Sequence, residues 1–467
     1  GGGGGQATTT STTPSGIGFC SRCSWPWYGK FCQNFRPTAS SPVDVLVIVF
    51  QAISTDLGKR IDQYRADLAT YENLSSDVLE WDLPNLPALR PQRELRHLIK
   101  TEYVYREIRA VLLVGDYPLA WATFPGREQN EIRNGPFLSY YTSFSGSQQF
   151  FLSSDNKKYT VVQDENQRHT DIAMGIINQA SEQEMLAYFD RLHSHRETDG
   201  SSHPSQKQWS FDGGDWVCDS PSPLYSGGFG PGSHSCHEGQ YIKYECPDDY
   251  ECKEENKKVY ESMLDNHEVK YEYYNARAHS WHAGFSFGVN LEDLINKPFS
   301  GARFFNLFHC SAAKTSERNL AFGMAIGSKH GLASVGTTHT GAMLYPGNMY
   351  FEQYLKDGDS WGEALRKWWN KEGKKKQDDR WHVGITAYGD PMVRMRGGKF
   401  RQGAKPGSLT EESAASDPMD EEELSNATLR QYLDHVFEID IQLEKEHADE
   451  DVDFEKYEQL MTDKYYR

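Results

Sequence analysis

Apolar runs alternate with helical spacings from about residue 43 onward. Val45-Leu46-Val47-Ile48-Val49-Phe50 is continuous and rich in β-branched side chains, which predicts a buried strand over 43–50. Leu57, Ile61, Tyr64 and Leu68 follow at helical spacing and predict a helix over 57–70. A second helix is expected over 92–106 after Pro91, a favoured helix-start residue. Val111-Leu112-Leu113-Val114 predicts a second buried strand, stopped by the turn Gly115-Asp116-Tyr117-Pro118. Residues 171–177 read as a strand, and Ser181 opens Ser-Glu-Gln-Glu, a capping box for a helix over 182–195. Further strands are expected at 269–275, 302–308, 332–335 and 383–388, with helices at 254–265, 317–328, 348–356 and 360–370. One more strand is expected between Trp209 and Trp216. Strand–helix alternation of this kind predicts a mostly parallel α/β sheet flanked by helices.

Composition divides the 467 residues into three parts. Residues 1–42 are a Gly/Thr/Ser segment leading into an arm with Cys20, Cys23 and Cys32. Residues 43–400 are the folded body, interrupted over 198–252 by an insertion rich in Gly, Ser, Pro and Cys. Residues 401–467 are a polar linker and an acidic, helix-prone tail. The tail carries most of the net charge of −18, since residues 404–467 hold 19 acids and 6 bases. None of these parts has the basic face that phosphate backbones require, which argues against nucleic acid as a partner. No stretch reaches the roughly 18 apolar residues of a membrane-spanning helix. The tail has apolar positions at Leu424, Leu429, Leu433 and Phe437, so folding back, self-association or docking on a partner is expected of it.

Seven of the eight cysteines, Cys20, Cys23, Cys32, Cys218, Cys236, Cys246 and Cys252, cluster in loop-like sequence. That is the usage of disulfides in an exported protein, so a secreted or extracellular location is expected. Zinc is the weaker reading of the first cluster, because three Cys lack a clear fourth ligand there. Asn73-Leu74-Ser75 and Asn426-Ala427-Thr428 are glycosylation-type triplets. The start at Gly1 without Met fits a removed signal peptide, and equally an engineered or incomplete terminus.

Cys310 stands apart, at the end of the strand expected over 302–308, and His279 follows the strand expected over 269–275. In an open parallel sheet, ligands bind at the carboxyl ends of strands. A thiol beside an imidazolium becomes a thiolate nucleophile, and the imidazolium can protonate a leaving amine. The structural reading of the same residues is a buried filler cysteine and one of 16 histidines that happens to lie near a strand end. His282 and His309 are local competitors for the base.

The order of segments resembles the gingipain-type cysteine peptidases, in the clan that includes caspases and legumains. The resemblance is carried over about residues 43–396 by seven blocks: Val111 to Asp116; Asp171-Ile172-Ala173-Met174-Gly175; Ala278-His279-Ser280; Phe308-His309-Cys310-Ser311; Gly331 to Thr338; Gly362-Glu363-Ala364; and Tyr388-Gly389-Asp390-Pro391. It implies a caspase–haemoglobinase-like α/β fold and a cysteine endopeptidase acting on proteins or peptides. Cys310 would be the nucleophile, His279 the general acid/base and His282 the alternative base, with the backbone N–H groups of Cys310 and Ser280 as oxyanion donors. An acid before the Asp171 strand, from Asp164, Glu165 and Asp171, would select Arg or Lys at the cleaved position. No cofactor would be required. Structural calcium is a property of the family that the acidic loops at Asp155 and Asp164-Glu165 would serve. Ser280 stands where the family has Gly, Ile176 where it has Arg, and His309 where it has a small residue. The alternative is therefore an inactive peptidase-fold protein with a binding or assembly role outside the cell.

The cysteine reading has a direct check. Intact-mass measurement before and after reduction should show disulfides among Cys218, Cys236, Cys246 and Cys252, and local pairing in the Cys20–Cys32 arm. Seven reduced thiols would remove the argument for export.

Overall fold

The computed structural model describes residues 42–395 with breaks at 51–52, 82–89, 126–131, 145–148, 153–158, 163–168, 199–207, 278–279, 286–287, 297–301, 308–309, 339–346 and 373–383; from 213–271 it describes only Glu254, Lys257, Lys258 and Glu261. These residues fall within one compact unit, Ser41–Ser413. The seven clustered cysteines, the acidic tail, Asn426, Asp155, Asp164, Glu165, His279 and His309 lie outside the described residues.

β1 (Val45–Val49) is buried along its whole length, as a continuous apolar run requires. α1 (Thr55–Asp67) starts at Ser54, whose side chain accepts from the Leu57 amide, and buries Leu57, Ile61 and Tyr64 as one stripe. One π-helical turn, Leu68–Glu72, extends it to Asn73. β2 (Ser76–Glu80), α2 (Arg90–Arg106) and β3 (Ala110–Val114) complete the first parallel unit. β4 (Trp121–Pro125), β5 (Ile132–Pro136), β6 (Gln149–Leu152) and β7 (Tyr159–Val162) form a separate four-stranded sheet. β8 (Ala173–Ile177) then re-enters the main sheet, and α3 (Glu182–Glu197) follows behind the predicted capping box. In that box the Ser181 amide donates to the Glu184 carboxylate at 2.8 Å.

β9 (Gln208–Asp212), β10 (Tyr273–Arg277), a short hairpin of β11 (Ser280–Trp281) and β12 (Gly284–Phe285), and α4 (Leu291–Asn296) come next. β13 (Phe304–Leu307) leads through a turn to α5 (Leu320–Phe322) and a π-helical turn, Gly323–Gly327. β14 (Ala333–Thr337), α6 (Gly347–Lys356), α7 (Trp361–Glu372) and β15 (Ile385–Gly389) close the body. The main sheet has nine strands in the order β2-β1-β3-β8-β15-β14-β13-β10-β9. Its pairings are parallel except that β15 runs antiparallel to β14. Helices flank it, with α1 packed on α3 and α6 on α7. This is the mostly parallel α/β sheet flanked by helices that the sequence predicts. No helix among the described residues is long and apolar enough to cross a membrane.

Two expected boundaries move. The segment expected as a helix from 317 begins only at Leu320, because Asn319 is its N-cap and its side chain accepts from the Phe322 amide. The strand expected over 269–275 is shifted to Tyr273–Arg277. The four-stranded sheet, β2, the β11–β12 hairpin and α4 have no counterpart in the sequence reading.

Two of the quoted sequence blocks meet in the core. A Cβ on Gly175 would lie 2.1 Å from the Gly389 carbonyl oxygen and 2.7 Å from Pro391 Cδ, so only glycine fits between β8 and the chain leaving β15. Gly389 itself has φ of +96°, a region that favours glycine. Asp390 is fully buried and paired with Arg196, whose side chain is 2% exposed. The Tyr64 hydroxyl donates to Asp390 Oδ1 at 2.7 Å, and the Asp390 amide donates to the Tyr188 hydroxyl at 2.6 Å. Burial pulls the Arg196 guanidinium down, but Asp390, Tyr64 and Glu72 together outweigh it and hold the group above its ordinary range. Burial pushes the Tyr64 phenol well up, and Asp390 adds to the shift.

Gly175→Ala should destabilise the body by about 1–3 kcal/mol or more, as overpacking of a closed site does. The measurement is the urea midpoint of the full chain, with the slope unchanged. A midpoint equal to wild type would show that β8 and the Gly389-Asp390-Pro391 turn are not so closely apposed.

Candidate active site

β10 and β13 are parallel neighbours, with Tyr273 opposite Phe304 and Asn275 opposite Asn306. Both chains therefore leave the sheet at the same edge, as the His-and-Cys reading requires. Cys310 is a half-buried thiol in the turn that follows β13. Ser311 next to it has φ of +54°, in the left-handed region that a residue with a side chain seldom occupies. His279 lies outside the described residues, but its neighbour Ser280 reaches this turn. The Ser280 hydroxyl donates to the Cys310 carbonyl oxygen at 2.7 Å.

The turn is seated on the sheet by groups that the sequence reading did not single out. Ala312 and Ala313 are fully buried, and the Ala313 amide donates to the Thr337 carbonyl at the end of β14 at 2.9 Å. Asn178, just past β8, donates its side-chain amide to the Thr315 carbonyl at 2.9 Å. Asn319 donates to the Lys314 and Glu317 carbonyls at 3.2 and 2.9 Å, and to the Tyr388 hydroxyl at 2.7 Å. β8, β14 and β15 thus all contribute to placing the Cys310 turn. The one signal for Asn319 in the sequence is its position before Leu320-Ala321-Phe322, an N-cap preference, whereas helix spacing alone put the start three residues too early.

His282, the alternative base, lies in the turn of the β11–β12 hairpin. Its Nε2 is 2.8 Å from Glu317 Oε2, and its carbonyl accepts from the Leu320 amide at 2.9 Å. Glu317 also takes Lys314, whose hydrogen bond holds the carboxyl below the usual range. So the structure brings Ser280, His282 and the Cys310 turn together. Asp171 sits elsewhere. Its side chain is 2% exposed, accepts from the Phe144 amide and faces His169 Nε2 at 3.6 Å. Trp281 is exposed on the hairpin, and Gly284 leaves room for its ring, since a Cβ there would meet Trp281 Cζ2 at 3.0 Å. Among the described residues, no group of three or more His, Cys, Asp or Glu could hold a metal ion. Asn73 is exposed at the end of the π-helical turn, while Ser75 of the same triplet donates its hydroxyl to the Asp44 carboxylate at 2.8 Å.

The described residues form a mostly parallel α/β sheet with the Cys310 turn at one edge. Comparison with solved structures agrees at the level of the fold. A protease structure superposes with a TM-score of 0.50 at 11% identity, covering 78% of this chain and 81% of that one. A complex of the pro- and mature domains of RgpB from Porphyromonas gingivalis superposes with a TM-score of 0.46 at 12% identity, covering 75% and 80%. No protein-family model matches the chain, and neither does any curated protein.

Asn319→Ala should leave the Lys314 and Glu317 carbonyls and the Phe322 amide without their side-chain partner. A loss of about 1–3 kcal/mol is expected for such a buried site, again read from the denaturation midpoint. A variant as stable as wild type would show that water replaces the amide.

Proposed function

We propose that the chain is a cysteine endopeptidase with Cys310 as nucleophile and His279 as general acid/base. The observation that carries this reading is the parallel β10–β13 pair, with Ser280 hydrogen-bonded to the Cys310 carbonyl. The residue before Ser280 is His279, so the chain puts an imidazole one residue from a contact with the nucleophile turn. In the proposed reaction the Cys310 thiolate attacks the scissile carbonyl carbon, and the carbonyl oxygen takes the negative charge. The backbone N–H groups of Cys310 and Ser280 are the donors aimed at that charge. The C–N bond breaks as the His279 imidazolium gives its proton to the leaving amine, leaving a thioester on Cys310. Water, deprotonated by His279, then hydrolyses the thioester.

Cleavage after Arg or Lys remains part of the reading through Asp164 and Glu165. Asp171 contributes less, since its carboxylate already serves the Phe144 amide. Export, disulfides in the two cysteine clusters, glycans on Asn73 and Asn426, and structural calcium at the acidic loops belong to the same proposal.

The test is a fluorescent peptidyl acyloxymethyl ketone with Arg or Lys at the reactive position. Labelling should map to Cys310, vanish in Cys310→Ala and fall at least 100-fold in His279→Ala, as loss of a general acid/base does. Labelling retained in His279→Ala but lost in His282→Ala would move the base to His282. No labelling of a folded chain would leave the alternative, a protease-fold protein with a binding or assembly role.

A further inference from the structure

We infer that the Ser280 side chain is a positioning residue, clamping the β11–β12 hairpin onto the nucleophile turn; this rests on the reading of Cys310 as nucleophile. The backbone ladder between β10 and β13 pairs residues up to Asn275 and Asn306. Beyond it, Ser280 and Cys310 are joined through a side chain, with the Ser280 hydroxyl donating to the Cys310 carbonyl at 2.7 Å. That carbonyl belongs to the peptide unit between Cys310 and Ser311. The orientation of this unit is set by ψ of Cys310 and φ of Ser311, and the latter is +54°. A residue with a side chain holds such a conformation when its surroundings over-determine it. The Ser280 hydroxyl supplies one constraint from outside the turn, and the Lys314 amide, donating to the Ser311 carbonyl at 3.2 Å, supplies one from within.

Two further contacts tie the same hairpin to the same turn. His282 Nε2 lies 2.8 Å from Glu317 Oε2, and the Leu320 amide donates to the His282 carbonyl at 2.9 Å. The hairpin opening at Ser280 and the segment Cys310–Leu320 are therefore stapled at both ends. The first staple is the Ser280 hydroxyl itself. A glycine here would keep the backbone N–H proposed for the oxyanion and lose the clamp. The serine thus does more than fill the place of a glycine, and its hydroxyl replaces a constraint that the ladder no longer supplies.

The test uses the full chain with Ser280→Ala, Ser280→Gly and Ser280→Thr. Three quantities are measured: kcat and KM on a peptide substrate, the pH profile of iodoacetamide alkylation at Cys310, and amide exchange over 310–315. Ser280→Ala and Ser280→Gly should lower kcat about tenfold with KM within about twofold, because misplacement of reacting groups acts on the chemical step. Exchange over 310–315 should quicken in both, the alkylation profile should shift, and Ser280→Thr should restore all three by keeping the hydroxyl. Should Ser280→Ala not fold, Ser280→Cys, similar in shape but a weak donor, carries the same expectation. A Ser280→Gly variant with wild-type kcat and wild-type exchange overturns the proposal. If the wild type itself has no peptidase activity the functional reading fails, and faster exchange in Ser280→Ala still supports the clamp, while unchanged exchange removes it as well.

Discussion

Asp390 has no access to solvent, and its carboxylate is paired with the buried Arg196 guanidinium. A charge so placed is tolerable only when every lone pair has a partner. Asp390 meets that condition through Tyr64, Arg196 and its own Met392 amide, which donates back to Oδ1 at 2.9 Å. Those partners come from α1, α3 and the chain after β15. Tyr188 adds a link to the Leu332 carbonyl at the entrance of β14. The buried pair therefore fixes where the antiparallel strand ends and how α1 and α3 lie against it. Removing Asp390 would leave Arg196 with only the more distant Glu72 carboxylate at 3.7 Å, so the junction depends on the closer pair.

The sheet inherits its order at the site from that junction. β15 is set between β8 and β14, and its Tyr388 hydroxyl accepts from Asn319. Asn178 reaches Thr315 from the end of β8. The Cys310 turn is thus held by strands on either side of β15, through side-chain amides that satisfy turn carbonyls in a water-poor setting. Small residues make the approach possible. Gly336 would bring a Cβ to 3.1 Å of the Ala313 methyl, and Ala312 and Ala313 have no exposed surface. A rigid, strained turn carrying a thiol at a sheet edge is a reasonable place for nucleophilic chemistry, because its geometry is established before a substrate arrives.

The hairpin over Ser280–Phe285 brings a second set of groups to this edge. Its His282 is already engaged with Glu317, which Lys314 shares. That engagement makes His282 part of the frame around the turn, and it is the physical reason to favour His279 as the base in the proposed reaction. Trp281, exposed on the same hairpin, gives the edge an apolar surface in a protein whose other exposed large apolar side chain is Tyr71, among the described residues.

Continuous apolar runs were enough to place β1, β3 and β8, because a strand buried on both faces has few polar positions to disguise it, and β13 and β14 were legible despite the buried Asn306, Ser334 and Thr337. The Ser181 capping box and the α1 stripe were legible for the same reason: their signals are local, a few residues long, and agree with burial. The sequence also determined that a His and a Cys would follow two strands, since both residues sit just past apolar segments. It did not reveal β2, whose residues are only partly buried, or the four-stranded sheet, whose short strands depend on one another for pairing. Nor could it show that Gly175 packs on Gly389, that Asn178 and Asn319 hold the Cys310 turn, or that the Ser280 hydroxyl reaches the Cys310 carbonyl. Apart from the short-range bonds of Asn319 to Lys314 and Glu317, those contacts join residues from 30 to 214 positions apart, and no local periodicity encodes a long-range hydrogen bond or a close approach of two backbones. Such pairings exist only once the sheet order has brought distant strand ends to one edge, so tertiary structure alone decided them.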